Sequence, residues 1–161
     1  MRHAITLRVN GQPWPLEVEP SEVLLEVLRG RVGVKSPKSG CERGDCGSCT
    51  VLLDGRTVRS CLVLAVEVDG HEVVTVEGLS SDGLSQLQQT MLELSSFQCG
   101  YCAPGVVLSA VELLAREPHP DRHAAQEAIS GNLCRCTGYT AIIDAVLAAA
   151  EASSAALTRE G

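Results

Sequence analysis

Four cysteines constrain this chain more than any hydrophobic pattern in it. Cys41-Glu-Arg-Gly-Asp-Cys46-Gly-Ser-Cys49 is closed by Cys61, with gaps of four, two and eleven residues. Three thiols crowd one loop, and the fourth returns from beyond an expected β-hairpin. That spacing suits a small inorganic cluster. Gly40, Gly44 and Gly47 are expected to let the backbone take positive φ and curl close round it, with successive N–H groups aimed at its sulfurs.

C-x4-C-x2-C with a distant fourth cysteine is the plant-type spacing for a [2Fe–2S] cluster. Composition bounds what surrounds it. The hydrophobic share is 45 % with only 2 % aromatic, so a core must be built from Leu, Val, Ile and Ala. A net charge of −7 argues against nucleic acid, which needs a basic face. No charge-free apolar run approaches the ~20 residues of a membrane span. Met1 to Asn10 alternates like a strand and has no export-signal pattern. A cytoplasmic, reducing location is expected, where eight cysteines read as metal or redox ligands and not as disulfides.

Ile5 to Val9 alternates as a half-buried strand does. Asn10-Gly11 signals a hairpin turn, and Trp14 to Val18 reads as the return strand. Pro20-Ser21-Glu22 opens a helix with Ser21 as N-cap and Glu22 in the first turn. Val23, Leu24, Val27 and Leu28 make its apolar face, and Gly30 and Gly33 end it. Thr50–Leu53, Asp54-Gly55 and Thr57–Leu62 form a second hairpin, and Val73–Val76 one more strand. This order suggests a β-grasp arrangement. Past Gly78 the period becomes helical: Leu84–Leu94, then a helix with Pro104 at N1 running to about Glu117, then Arg122–Ile129, then Thr140 or Ala141 to Ala152. The last ten residues read as a loose tail. The expected fold is α+β: a β-grasp domain with the plant-type ferredoxin cysteine spacing over residues 1–78, then a four-helix domain over 79–161.

A second constellation lies in the helical part. Cys99-Gly-Tyr-Cys102 precedes one expected helix, and Cys134-Arg-Cys136 precedes another after a gap of 31 residues. Helix N-termini carry free N–H groups and partial positive charge, which would stabilise an anionic cluster. Gly100, Gly105, Gly131 and Gly138 give the flanking backbone room. Two four-cysteine zinc sites are the competing reading, although C-x4-C and C-x-C are unusual zinc spacings. A Rieske centre needs two histidines, and His3, His71, His119 and His123 all lie far from the cysteines and read as surface residues. No nucleophile or His–carboxylate constellation for substrate chemistry is present at a recognisable spacing.

Gly40-Cys41-x4-Cys46-Gly-Ser-Cys49-Thr-Val, Ser60-Cys61, Gln98-Cys99-Gly-Tyr-Cys102-Ala-Pro-Gly and Gly131-Asn-Leu-Cys134-Arg-Cys136-Thr-Gly-Tyr139 together resemble the iron–sulfur subunit of molybdenum hydroxylases. These are enzymes of the xanthine dehydrogenase, aldehyde oxidoreductase and carbon monoxide dehydrogenase type. The resemblance implies two [2Fe–2S] clusters, one on Cys41, Cys46, Cys49 and Cys61, the other on Cys99, Cys102, Cys134 and Cys136. It implies a large partner subunit holding molybdopterin, in the cytosine dinucleotide form, near the second cluster, and an FAD-binding medium subunit nearer the first. Gln98 matches the residue that contacts the pterin, and Cys136 the ligand nearest to it. Electrons would pass from molybdenum through this chain to FAD, within an enzyme that hydroxylates or dehydrogenates small aldehydes or N-heteroaromatic compounds. Some positions depart from the common pattern: Lys35-Ser-Pro-Lys38 stands where Thr-Gly-Thr-Lys is frequent, Gly30 where Asp is common, Ser48 for Ala, and Ala103 for Thr. None removes a ligand. A free-standing two-cluster carrier and a structural zinc protein remain the alternatives.

Overall fold

The computed structural model describes residues 1–80 and 83–157. The N-terminal part is a five-stranded mixed sheet of order β2-β1-β5-β3-β4. Its strands are β1 (His3–Val9), β2 (Gln12–Val18), β3 (Thr50–Leu53), β4 (Arg56–Arg59) and β5 (Glu72–Val74). β1 and β2 pair antiparallel from His3↔Val18 to Val9↔Gln12. Asn10 and Gly11 both take positive φ, as the two-residue turn requires. β5 returns parallel to β1 and antiparallel to β3, which makes the sheet a β-grasp. Alternation decides the faces. Ile5, Leu7 and Val9 are buried while Ala4, Thr6 and Arg8 are exposed. The inward residues meet Leu24 and Val27 of the crossing helix α1 (Leu24–Val27) and Leu28 just after it, together with Val51, Val68 and Val73.

α1 begins later than the sequence suggests. Val23 is its N-cap, and no side chain caps it. Its first free donors are met across the fold: Leu24 N–H donates to the Val63 carbonyl at 2.8 Å and Leu25 N–H to Ser60 at 3.0 Å. Ser21 is therefore not the cap, and Glu22 turns back to accept from Glu19 N–H at 2.6 Å. Gly30 lies within a wider turn over Leu28–Val32, so only Gly33, at φ 86°, ends the segment. β4 stops at Arg59, where Leu62 N–H closes a turn onto the Arg59 carbonyl. β5 stops at Val74.

Among the described residues the C-terminal part holds four α-helices: α2 (Gln86–Glu93), α3 (Ala103–Arg116), α4 (Arg122–Ile129) and α5 (Tyr139–Leu157). α2 starts with a reciprocal cap in which Ser85 and Gln88 satisfy each other's backbone N–H. Asp121 caps α4 by accepting from Ala124 N–H at 2.7 Å. Pro104 falls in the first turn of α3, one place further in than expected, because Cys102 is the N-cap. α5 runs on through residues assigned above to a loose tail, and residues 158–161 of that tail lie outside the described residues. Leu87, Met91, Val106, Ala110, Leu113, Ile129, Ile142 and Val146 form the helical core. No helix among the described residues is long and apolar enough to cross a membrane.

α3 also lies against β3 and β4, so the sheet and the helices share an interface. At its outer side Glu112 accepts from the Thr57 hydroxyl at 2.6 Å and from Thr57 N–H at 3.1 Å.

Candidate iron–sulfur sites

The eight cysteines gather as two groups of four, and each group resolves into an outer and an inner pair. In the first, Cys41 and Cys46 are partly exposed while Cys49 and Cys61 are buried. In the second, Cys99 is exposed and Cys136 half-buried, while Cys102 and Cys134 are buried. The Sγ atoms of Cys99 and Cys136 stand 3.5 Å apart. The thiols of Cys49 and Cys61 touch, as do those of Cys102 and Cys134. All eight are free thiols.

Local backbone builds the first group. Gly44 and Gly47 take positive φ as expected, and so does Glu42, while Gly40 does not. Gly40 is needed for closeness instead: a Cβ there would lie 2.9 Å from Cys46 Sγ. Cys46 N–H reaches Cys41 Sγ at 3.4 Å. Hydrogen bonds from the backbone N–H groups of Arg43 and Cys46 bring the Cys41 thiol down to about 7. Burial, then contact with Cys49, pushes Cys61 up to about 11. In the second group the N–H of Tyr101, and then Cys136, lower Cys99, whereas burial and Cys134 push Cys102 up to about 12. In each group, then, N–H dipoles favour the thiolate at one rim cysteine, Cys41 or Cys99, and burial disfavours it at one inner cysteine, Cys61 or Cys102. Among the described residues no three His, Cys, Asp or Glu side chains close round a single point as one ion would need. Four thiols split into two pairs fit a two-iron cluster, in which each iron takes two of them.

The second group is steadied by Tyr139, whose hydroxyl accepts from Cys134 N–H at 2.8 Å and faces the Asn132 carbonyl at 3.4 Å. Cys102 occupies the N-cap position of α3, and Cys136 lies three residues before α5, so both cysteine pairs stand at helix N-termini. Gln98 is exposed, and its Nε2 donates to the Cys136 carbonyl at 3.4 Å. Gln98, Cys99 and Cys136 therefore share one rim. The four histidines are exposed, and His71 pairs with Asp54. Ser48 is 5 % exposed and packs beneath Gly40.

One feature had no signal in residue spacing. Asn132, 1 % exposed, joins the two cysteine loops. Its Nδ2 donates to the Gly47 carbonyl at 3.1 Å and to Thr50 Oγ1 at 3.3 Å, and its Oδ1 accepts from Ser109 Oγ at 2.8 Å. Next to it, Leu133 N–H donates to the Cys46 carbonyl at 2.9 Å. Arg59 donates to the Gly131 carbonyl and to Thr50 Oγ1. The approach is so close that a Cβ at Gly47 would sit 2.3 Å from the Gly131 carbonyl oxygen. A covalent path with a single hydrogen bond thus links Cys46 of one group to Cys134 of the other.

Residues 7–80 match the family described as "2Fe-2S iron-sulfur cluster binding domain" and residues 75–147 the one described as "[2Fe-2S] binding domain". With the fold and the two thiol groups, these matches define a two-cluster [2Fe–2S] electron-transfer protein. The chain is 47 % identical to the nicotine 6-hydroxylase small subunit of Paenarthrobacter nicotinovorans, over 91 % of this chain and 88 % of that one. It is 45 % identical to the nicotinate dehydrogenase small FeS subunit of Eubacterium barkeri, over 91 % and 94 %. A chain of quinoline 2-oxidoreductase from Pseudomonas putida 86 superposes with a TM-score of 0.90 at 46 % identity, over 95 % of this chain and 96 % of that one. The chain belongs to the iron–sulfur small subunits of the molybdenum hydroxylases, the xanthine dehydrogenase family, and is the iron–sulfur subunit of a molybdenum-dependent oxidoreductase.

Proposed function

We propose that this chain carries electrons from a molybdopterin site in a large partner subunit, through two [2Fe–2S] clusters, to FAD on a medium subunit. The observation that carries this reading is the joint between the two cysteine groups, where Leu133 N–H meets the Cys46 carbonyl. Two separate structural metal sites have no need of such a link. Bound clusters would supply one-electron carriers.

The residues divide the work as follows. Cys41 and Cys46, the partly exposed pair, would hold one iron of the first cluster, and the buried Cys49 and Cys61 the other. Cys99 with Cys136, and Cys102 with Cys134, do the same for the second. The first set belongs to a domain over residues 1–78 and the second to one over 79–161. Gln98 and Cys136, together on an exposed rim, face the pterin, which we take to be the cytosine dinucleotide. The substrate is a small aldehyde or an N-heteroaromatic compound; relatives named for nicotine, nicotinate and quinoline favour the second. The complex works in the cytoplasm.

Anaerobically purified protein should contain about four irons and about four acid-labile sulfides and should come with a much larger molybdopterin-binding chain. Cys46→Ala should remove one EPR signal of the reduced protein and Cys102→Ala the other. Zinc in place of iron, or loss of the same signal in both variants, refutes the assignment.

A further inference from the structure

Lys38 stands between the two cysteine loops. Its backbone N–H donates to the Ser48 carbonyl at 2.9 Å, between Cys46 and Cys49. Its side chain reaches the other way. Nζ donates to the Tyr101 carbonyl at 3.2 Å, between Cys99 and Cys102, and to the Ser36 carbonyl at 3.2 Å. The ammonium also lies 5.3 Å from the centre of the Tyr101 ring. Tyr101 is held in turn: its hydroxyl donates to the Ser39 carbonyl at 2.8 Å. Two carbonyls and an aromatic face hold the cation in one place, against the loop of the second group.

We propose that Lys38 is an electrostatic tuning residue, which raises the reduction potential of the second cluster selectively. The proposal rests on the ligand assignment given above. One-electron reduction of a four-thiolate [2Fe–2S] centre adds one negative charge and moves no proton. A fixed cation nearby favours the more negative state and so raises the potential, while its effect on the first centre is smaller because only the neutral backbone of Lys38 faces that loop. Half-burial removes part of the water that would screen the charge. Two charged side chains lie near the ammonium and act on it in opposite senses, Arg29 against its charge and Glu77 in its favour. The consequence is directional. An acceptor beside molybdenum that is easier to reduce draws electrons from the pterin side at the first step, and the same charge slows their onward passage.

The test uses the complete complex, titrated with dithionite and mediators and followed by EPR, with the two signals first assigned through Cys46→Ala and Cys102→Ala. Lys38→Met should lower the reduction constant of the second centre about tenfold, ~59 mV for one electron, and that of the first by less. Lys38→Arg, which keeps the charge, should restore most of it. An unmoved second centre, or an equal or larger shift in the first, overturns the proposal and leaves the ligand assignment standing. Failure of the two cysteine variants to separate the signals overturns the ligand assignment, and the role of Lys38 with it.

Discussion

Replacing Asn132 by alanine probes the joint between the two cysteine groups. The Asn132 side chain makes three hydrogen bonds from a site 1 % exposed. Its partners are not equally dependent on it. The Gly47 carbonyl keeps Thr50 N–H at 3.1 Å and Thr50 Oγ1 at 2.6 Å, and Thr50 Oγ1 keeps Arg59 at 2.8 Å. Only the buried Ser109 hydroxyl loses its one acceptor. The cost is then about 1 kcal/mol for the bonds to satisfied partners and about 1–2 kcal/mol for Ser109. The small cavity left by the amide adds to this. A total of about 2–4 kcal/mol corresponds, for a chain of this size, to a melting point lower by about 4–16 °C. Calorimetry of the loaded protein measures this, and EPR of the fully reduced protein gives an independent readout. Loosening the joint should weaken the magnetic interaction between the two centres. Asn132→Asp keeps the shape but sets a buried acceptor against the Gly47 carbonyl, and should cost at least as much as alanine. A loss below about 1 kcal/mol in the alanine variant, or an aspartate variant as stable as the parent, would refute the reasoning.

Two further outcomes are expected. Glu77 accepts from the Ser36 hydroxyl at 2.5 Å, the Thr75 hydroxyl at 2.7 Å and the N–H groups of Lys35 and Ser36, which ties the approach to the first cysteine loop to the end of the sheet. Burial alone would raise this carboxyl, but the hydrogen bonds outweigh it and bring it down to about 2 from 4.5. A depressed carboxyl stabilises the fold above its unfolded pKa, so the contribution is whole above about 4.5 and fades as pH falls toward 2. Solvent reaches this carboxylate and screens it, so the effect is modest. Denaturant midpoints of parent and Glu77→Gln should differ at pH 7 and converge as pH is lowered toward 3; a constant gap contradicts this. Gln98→Ala should lower molybdenum content and weaken the hold on the large subunit, since a pterin partner left unpaired costs about 1–3 kcal/mol; unchanged content and affinity would reduce Gln98 to a brace for the Cys136 loop.

Much of this was legible in the chain itself. Cysteine spacing, period-two alternation in β1 and β2, the Asn10-Gly11 turn and the helical period after Gly78 are local quantities, written within a few residues of where they act. They suffice for the order of elements and for the first cysteine loop, where Gly44 and Gly47 take the positive φ that its tight spacing calls for. The misjudged points were those where distant backbone does local work. α1 starts at Leu24 and not after Ser21, since the carbonyls of Ser60 and Val63 cap it from across the fold. α5 continues past Ala152, where composition alone suggested a loose end. The division of each cysteine group into an exposed and a buried pair, the place of Lys38 between two loops, and the seating of Asn132 on Gly47 belong to tertiary structure alone. Asn132 and Gly47 are 85 residues apart. No periodicity records a contact of that separation, and it exists only because α3 packs against β3 and brings two independently formed loops face to face.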